Sequence, residues 1–320
     1  MISNYRNGKV IHRAINACIT PLPFVHLSAI TTIEGIGSTK TKLHKIQQVL
    51  IDNHGTQCGF CTPGIVMSMY ALLRNEKLPT EEMIKRALQG NLCRCTGYRP
   101  ILQGFNLEFA AENQDQRTST SKDLCALGEK CCKNKESSST PEDAPEINKE
   151  FIPEDPTQEP IFPPELKFFK TNTSLLIKGP RKTWFSPTNF VPLIQFLNEN
   201  EGARIISGGT ICALETKFEG NFQPIEVSLA VVEELRTISM DETSLRIGAG
   251  ATITEICEFI QNAEQKNQIL DSILESVKWF GGEQIRNVAT IGGNIVSARP
   301  TSDFTTIFMA AGAQAKYATC

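Results

Sequence analysis

The sequence predicts an α+β protein that combines a small helical bundle with a larger mixed domain. Between residues 43 and 109, apolar side chains recur at helical spacing in runs separated by Pro and Gly. From residue 113 to about 160 the chain is polar and rich in Ser and Pro. Beyond residue 180, short apolar runs of strand character alternate with helical runs. These stretches predict two domains, or three, with a linker between them.

The helical stretch predicts four helices. The first is amphipathic and ends at Gly55. Thr62 is the expected N-cap of the second, and Pro63 suits its first position. Thr80 opens the third, with acids in its first turn, and Pro100 opens the fourth. Four helices of this length make a small bundle.

Two close cysteine pairs flank the hairpin that the second and third helices form. The first pair is Cys58 and Cys61, and the second is Cys93 and Cys95. Because a helical hairpin returns the chain to its start, the four thiols can meet. Four thiolates hold either a tetrahedral zinc ion or an iron–sulfur cluster. A single spacer within the second pair is unusual for zinc, so the spacing favours the cluster and leaves zinc or unligated thiols open.

Composition excludes several other function classes. The net charge is −3 and the pI is near 5.9, so no field attracts nucleic acid. No apolar run reaches the roughly 18 residues of a membrane span. The four histidines, His12, His26, His44 and His54, show no partner pattern for acid–base catalysis, and none is assigned a role.

Two glycine pairs in the second half of the chain are candidates for phosphate binding. They are Gly208-Gly209 and Gly292-Gly293, each beside Thr or Asn and short apolar runs of strand character. Glycine lets the backbone approach a ligand closely, and consecutive N–H groups can cradle an anion. Glycine pairs are, however, more often simple turns, and neither pair fits a Rossmann or P-loop motif. From the residues alone, both interpretations stay open.

Three motifs carry a resemblance to a known family. They are residues 34–38 (Glu-Gly-Ile-Gly-Ser), 57–64 (Gln-Cys-Gly-Phe-Cys-Thr-Pro-Gly) and 90–102 (Gly-Asn-Leu-Cys-Arg-Cys-Thr-Gly-Tyr-Arg-Pro-Ile-Leu). Together they closely resemble the xanthine dehydrogenase and aldehyde oxidase family, which are molybdenum hydroxylases. A further run, residues 155–166 (Asp-Pro-Thr-Gln-Glu-Pro-Ile-Phe-Pro-Pro-Glu-Leu), is most similar to the animal xanthine dehydrogenases.

The resemblance implies ligands for iron–sulfur clusters. In the family, a four-helix domain binds a [2Fe-2S] cluster through positions that match Cys58, Cys61, Cys93 and Cys95. The family glutamine that contacts the molybdopterin matches Gln57. A preceding plant-type ferredoxin domain binds a second cluster, and one of its four ligands matches Cys18. The other three have no counterpart in this chain, so Cys18 alone cannot hold that cluster.

The resemblance also implies an FAD-binding domain of the vanillyl-alcohol-oxidase/PCMH type. Positions that match its FAD contacts are Ile205, Ile206, Ser207, Gly208, Gly209, Thr210, Ile211 and Cys212 in a first diphosphate loop, Thr290, Ile291, Gly292, Gly293 and Asn294 in a second, and Phe280 and Asp303 elsewhere. Phe280 could instead be a core residue, and Asp303 a helix cap after Ser302. The family often has Glu where this chain has Ile211, which alters the lining of the site.

These matches imply the domain boundaries. Residues 1–35 are expected to be the C-terminal remnant of the ferredoxin domain, and 36–112 the helical [2Fe-2S] domain. Residues 113–170 are the linker, in which Cys125, Cys131 and Cys132 are expected to be free thiols. Residues 171–320 are the N-terminal part of the FAD domain. We therefore expect a chain truncated within domains at both ends, with no residue able to hydroxylate a substrate.

The function that the resemblance implies is electron transfer from an iron–sulfur cluster to FAD. The whole family enzyme would oxidise hypoxanthine and xanthine with NAD or O2 as acceptor. An aldehyde oxidase-like fragment, a short protein that serves a separate molybdenum subunit, and a non-catalytic four-cysteine module are the alternatives. The implied partners are a second copy in a homodimer and a molybdopterin domain in cis, without nucleic acid or membrane. The expected location is the cytoplasm, with the peroxisome as the alternative.

Overall fold

The computed structural model describes residues 1–6, 8–39, 42–113, 159–169 and 174–317. These residues form two compact units. One is Thr31–Ile161, and the other combines Met1–Ile30 with Phe162–Cys320. The predicted domain boundaries at residues 35, 112 and 170 stay predictions. Cys125, Cys131 and Cys132 lie outside the described residues.

The first unit, Thr31–Ile161, is helical in its described part. Its helices are α1 (Ile33–Ile36), α2 (Lys45–Asp52), α3 (Thr62–Asn75), α4 (Glu81–Ala87) and α5 (Arg99–Phe109). The four predicted helices are confirmed as α2 to α5. Their apolar faces form a core in which Ile46, Leu50, Ile65, Met69, Ile84, Ile101 and Phe105 are almost fully buried. Each such side chain contributes roughly 1.5–3 kcal/mol by leaving water.

Helix starts in this unit agree with the sequence in one place and differ in another. Thr80 caps α4 as predicted, because its side chain accepts a hydrogen bond from the Met83 amide at 3.2 Å. Thr62 was the wrong N-cap for α3. The cap position belongs to Cys61, and Thr62 Oγ1 lies 2.8 Å from Thr56 Oγ1 instead.

The second unit contains three sheets among its described residues. β1 (Ile2–Arg6), β2 (Lys9–Arg13) and β3 (Ala29–Ile30) form an antiparallel sheet in the order β2-β1-β3. β4 (Leu175–Lys178), β5 (Thr183–Ser186), β6 (Arg204–Ile206) and β7 (Ile225–Ser228) form a sheet in the order β4-β5-β7-β6. β8 (Ile238–Met240) and β9 (Leu245–Ile247) form an antiparallel pair. The Thr-Thr-Ile sequence at residues 31–33 predicts a strand, but β3 ends at Ile30 and α1 begins at Ile33.

Helices of the second unit alternate with these strands and then follow them. They are α6 (Glu165–Phe168), α7 (Phe190–Glu199), α8 (Thr210–Phe218), α9 (Ile253–Asn262), α10 (Gln268–Val277), α11 (Glu283–Arg286), α12 (Ile291–Ser297) and α13 (Asp303–Ala310). β5 and β6 both pair with β7 in parallel. Parallel strands need crossover connections, which α7 and α8 supply. The predicted α+β class is confirmed.

Two local predictions in this unit were wrong. The Leu-Arg-Thr-Ile sequence at residues 235–238 predicts a strand, but a 3-10 helix occupies Glu233–Leu235 and β8 begins only at Ile238. The apolar run around Gly292-Gly293 was predicted to have strand character, but helix α12 begins at Ile291. Both runs are short, and periodicity alone does not separate a strand from a buried helical turn over so few residues.

Candidate cofactor sites

The cysteine pairs are brought together by the hairpin of α3 and α4. The segment that leads into the second pair is attached to α3, because Asn91 Nδ2 donates to Ser68 Oγ at 3.0 Å. Ser68 lies on the buried face of α3, two turns beyond the first pair. Side-chain packing and this hydrogen bond therefore place Cys93 and Cys95 beside Cys58 and Cys61.

Each thiol of the first sequence pair faces one thiol of the second. Cys58 and Cys95 lie close enough to shift the pKa of each other, and so do Cys61 and Cys93. No group of three or more His, Cys, Asp or Glu side chains in the described part of the chain is arranged to hold a single metal ion. A two-by-two arrangement matches the requirement of a [2Fe-2S] cluster, in which each iron takes two protein ligands.

Hydrogen bonds stabilise negative charge on one member of each pair. Thr96 lies with its hydroxyl 3.0 Å and its amide 3.5 Å from Cys93 Sγ, and these contacts lower the pKa of Cys93 to about 7. The backbone amide of Phe60 lowers the pKa of Cys58. Burial, together with Cys93, raises the pKa of Cys61 to about 11. The site thus holds two thiols that favour the thiolate, which is the form that binds iron.

Tyr98 is a site residue that the sequence reasoning missed. It is the N-cap of α5 and has a left-handed backbone, with φ +67°. Its hydroxyl oxygen accepts a hydrogen bond from the Cys93 amide at 2.8 Å, so it fixes the backbone of a proposed ligand. The only sequence signal was its place directly after the Cys-Arg-Cys-Thr-Gly run.

The rim of the cysteine site is exposed. Phe60 and Leu92, next to the two pairs, are 94% and 84% exposed. Gln57 and Arg94 are also exposed. Exposed apolar patches on a protein surface are typical of interaction sites. The contact of Gln57 with a molybdopterin stays a prediction.

The first glycine stretch connects β6 to α8. Gly209 precedes α8 with a left-handed φ of +69°, and no side chain caps this helix. A Cβ built on Gly208 would lie 1.9 Å from the Val288 carbonyl oxygen, so only glycine fits there. The first amides of a helix lack partners within the helix and carry its positive dipole end. The amides of Thr210, Ile211 and Cys212 therefore suit an anion.

The backbone amides of the second glycine stretch already donate hydrogen bonds to other protein atoms. Thr290 Oγ1 accepts from the Gly293 amide at 3.2 Å, and the Thr290 carbonyl accepts from the Asn294 amide at 3.0 Å. The amides of Ile291 and Gly292 donate to Ala251 O and Ala249 O at 3.2 and 2.9 Å. A diphosphate at this stretch would have to be bound by side chains, among which Asn294 accepts a hydrogen bond from Ser302 Oγ at 2.7 Å.

The structure brings both stretches together. Gly208 lies against the Val288 backbone, directly before the second stretch. Glu215 of α8 also pairs with Arg204 of β6 and with Arg299, which follows α12. The hydrogen bonds from these arginines lower the pKa of Glu215.

The remaining predicted FAD residues have mixed surroundings. Ile205 is exposed, whereas Ile206 is buried at the end of β6 and Ser207 is half-buried. Phe280 packs against Phe304, with ring centroids 5.3 Å apart. Asp303 is exposed in the first turn of α13, and Ser302 occupies the cap position without a side-chain cap bond.

Cys18 belongs to the same unit as the two glycine stretches. It is exposed within a 3-10 helix, Ala17–Ile19. Its carbonyl oxygen accepts a hydrogen bond from Lys217 Nζ of α8. Its role as a ligand of a second cluster stays a prediction.

None of the helices among the described residues is long and apolar enough to cross a membrane.

Two family profiles match this chain. Residues 32–106 match a [2Fe-2S] binding domain. Residues 178–320 match an FAD binding domain in molybdopterin dehydrogenase. The first match includes all four paired cysteines, and the second includes both glycine stretches. The predicted pair of cofactors, a [2Fe-2S] cluster and FAD, is therefore confirmed at the level of the domains.

Curated relatives resemble almost the whole chain. A xanthine dehydrogenase from Drosophila pseudoobscura pseudoobscura is 40% identical over 97% of this chain and 24% of its own length. A xanthine dehydrogenase/oxidase from Rattus norvegicus is 40% identical over 98% of this chain and 24% of its own. Aldehyde oxidase 1 from Cavia porcellus is 40% identical over 97% and 24%. The chain thus spans about a quarter of the length of these relatives.

A solved structure, a Cu,Mo-CO dehydrogenase, is 24% identical and covers 38% of this chain and 41% of its own, with a TM-score of 0.34. This similarity is too low to support an argument.

Proposed function

The chain belongs to the xanthine dehydrogenase and aldehyde oxidase family, and from this premise we propose that it is the electron-transfer portion of a molybdenum hydroxylase. It carries the [2Fe-2S] binding domain and the FAD binding domain of that family. The proposal is that electrons pass from the helical unit toward the flavin. The two facing pairs of thiols support it most strongly, because they match a two-iron cluster.

Cys58, Cys61, Cys93 and Cys95 are proposed to hold the cluster. When bound, a [2Fe-2S] cluster supplies one-electron transfer, and FAD exchanges one or two electrons. Thr96 would hydrogen-bond the sulfur of Cys93, and Tyr98 would fix its backbone. Hydrogen bonds to sulfur and exposure to solvent are the factors by which a protein sets the cluster potential.

Residues 205–212 are proposed to bind the FAD diphosphate through the N-terminus of α8. This helix has nine residues and no side-chain cap, so its first amides suit phosphate oxygens. In the second stretch, we propose that Thr290 and Asn294 bind through side chains. Phe280 and Asp303 are proposed as further contacts. Ile211 supplies no acid, so it would line the site without accepting a hydrogen bond.

Purine oxidation with NAD or O2 as acceptor is proposed for the complete enzyme. A homodimer and a molybdopterin domain in the same polypeptide are the proposed partners, and the cytoplasm the proposed location. An aldehyde oxidase also matches at 40% identity, so an aldehyde substrate is the second candidate. Comparing the rates at which the complete enzyme oxidises xanthine and a simple aldehyde distinguishes the purine substrate from the aldehyde substrate. Oxidation of aldehydes alone would refute the purine assignment.

The cluster assignment is tested by loading the 320-residue chain with iron and sulfide under anaerobic conditions. We expect about two irons and two sulfides per chain and a visible spectrum that reductant bleaches. Single Ala variants of Cys58, Cys61, Cys93 and Cys95 should each lose most of the iron. Cys257→Ala is the matched control, because Cys257 is buried in α9 and belongs to neither pair.

Colourless protein with one zinc per chain would instead establish a four-cysteine structural module. Iron that survives all four substitutions would refute the ligand assignment.

FAD binding is tested separately, by quenching of flavin fluorescence on titration with the same chain. We expect saturable binding at one site, weakened by substitutions in residues 207–212. Absence of saturable binding would refute the flavin assignment for this chain and leave the cluster assignment intact.

A further inference from the structure

Residues 13–21 run between the two glycine stretches within one compact unit. We call this segment the strap. It follows β2 and contains Ala14, the 3-10 helix Ala17–Ile19 and Pro21. The two ends of the strap are hydrogen-bonded or packed against different elements of the proposed flavin site.

The first anchor is Asn287, which lies three residues before Thr290 of the second stretch and is only 6% exposed. Its Nδ2 donates to the Ala14 carbonyl at 2.9 Å. Its Oδ1 accepts from Thr254 Oγ1 at 2.8 Å and from Arg13 Nη1 at 3.3 Å. A buried amide bonded through both its oxygen and its nitrogen is held in one orientation, because turning away from these partners would leave buried polar atoms unsatisfied.

The second anchor is Lys217, two turns into α8. Its Nζ donates to the carbonyl of Cys18. Pro21 Cδ lies 3.9 Å from a Cβ built on Gly209, so the end of the strap also covers the start of α8. Hydrogen bonds from charged donors are stronger than those from neutral ones.

Hydrogen bonds within the strap order the segment between its two anchors. Thr20 Oγ1 donates to Asn16 O at 2.8 Å, and the Ile19 amide donates to the same carbonyl at 3.2 Å. A segment ordered by its own hydrogen bonds can transmit displacement from one anchor to the other, whereas a flexible one cannot.

We propose that residues 13–21 couple the two glycine stretches, and that Lys217 and Asn287 are positioning residues that hold these stretches in register for FAD. Neither side chain needs to touch the flavin. The stretches are already adjacent through Gly208 and Val288, and the strap adds a second connection between them through Lys217 and Asn287. This inference rests on the proposed FAD site.

The test compares amide hydrogen exchange and FAD affinity in the full 320-residue chain. In Lys217→Met, we expect faster exchange at residues 14–20 and also at 287–292. FAD should bind several-fold more weakly per folded molecule, because the two stretches would no longer be held in one arrangement before the ligand binds. Lys217→Arg keeps a charged donor and should restore most of both. Lys178→Met removes an exposed lysine of β4 and is the matched control.

Asn287→Ser tests the other anchor, with the response expected at residues 17–20 and 207–212. Leu193→Val is the control for simple loss of stability, because Leu193 is buried in α7, in a separate core cluster with Val227 and Leu229. It should lower the melting temperature without changing FAD affinity per folded molecule.

Three outcomes separate the strap from the proposed function. If Lys217→Met raises amide exchange only around residue 217 and leaves FAD affinity unchanged, the proposed coupling through the strap is refuted. If the anchor variants show coupled exchange but the wild-type chain binds no FAD, the coupling is upheld. Its role in flavin binding and the flavin assignment itself are then both refuted. Coupled exchange with weakened FAD binding in both anchor variants supports the whole proposal.

Discussion

The two glycine stretches have similar sequences and different structures. In the first, Gly209 is left-handed and starts a helix that no side chain caps. In the second, Thr290 caps α12, and the amides of the next four residues donate to protein oxygens. The first stretch therefore presents amides that suit a ligand, whereas the second uses its amides to hold itself in place. A glycine pair alone does not distinguish these roles, because the neighbouring backbone decides which amides are engaged.

The largest effect is expected from Gly208→Ala. The new Cβ would lie 1.9 Å from the Val288 carbonyl oxygen, which belongs to the backbone and cannot turn away as a side chain could. We expect a loss of more than about 3 kcal/mol in the free energy of unfolding, as overpacking against backbone produces. Chemical denaturation of this variant measures it. A loss below about 1 kcal/mol would show that the two stretches are not in close contact.

Gly292→Ala should have the next largest effect. Its Cβ would lie 2.6 Å from Ala249 O and 2.8 Å from Ala249 Cβ. We expect a loss of about 2–3 kcal/mol, because the approach is close but less severe than the one at Gly208. Gly293→Ala is the control, since the nearest atom to its Cβ is Thr290 Oγ1 at 3.2 Å. Equal losses in both variants would contradict the close approach at Gly292.

Thr290→Val tests the cap that distinguishes the second stretch. The substitution keeps the shape of the side chain and removes the acceptor for the Gly293 amide. We expect a loss of about 1–2 kcal/mol, measured by thermal unfolding, which is the usual contribution of a side-chain N-cap. Thr290→Ser should retain most of the stability. If the Thr290→Ser and Thr290→Val variants have the same melting temperature, the hydroxyl does not cap α12.

Gly209→Ala tests the left-handed start of α8. An L-residue in this conformation costs about 1 kcal/mol relative to glycine. Gly209→Asn should cost less, since Asn tolerates the left-handed region best after glycine. Denaturant midpoints for the two variants, compared at equal slope, measure the difference. Ala and Asn variants of equal stability would show that residue 209 leaves the left-handed region.

The smallest effect is expected one layer behind the second stretch, at Glu255. Glu255 Oε2 accepts from the Thr252 amide at 2.9 Å, and Thr252 pairs with Thr290. Burial opposes ionisation of Glu255, but Arg236, the Thr252 amide and Arg6 together lower its pKa below the ordinary value of 4.5. A lowered pKa in the folded state adds stability above pH 4.5, which is lost as the pH falls through that lowered value.

Glu255→Gln should therefore destabilise the protein by up to about 1 kcal/mol at pH 7, because the ion pairs with Arg236 and Arg6 are partly exposed. The gap between the variant and the wild type should narrow below pH 4.5. Urea unfolding at a series of pH values measures this gap. A gap that is constant with pH would mean that the carboxylate is not stabilised in the folded state.

Periodicity and capping residues were sufficient to predict four helices of the helical unit, α2 to α5, but not the short helix α1. Helices α2 to α5 follow from local features such as Thr80, Pro100 and the apolar spacing, because each helix is specified mainly by its own residues. The one wrong cap, Thr62, lies beside the cysteine site, where the chain turns to present Cys61. In the second unit, the short runs near residues 235 and 291 were misassigned because tertiary contacts override weak local signals.

The sequence by itself determined the family, the four cysteines and the two glycine stretches, since these depend on residue type and spacing along the chain. Only the tertiary structure decided how the thiols pair, that Tyr98 holds the Cys93 amide, and which glycine stretch keeps its amides available. It also placed Cys18 and Ala14 against α8 and Asn287. Each of these depends on atoms that are distant in sequence, and hydrogen bonds and backbone contacts of that kind leave no periodic or local trace in the chain.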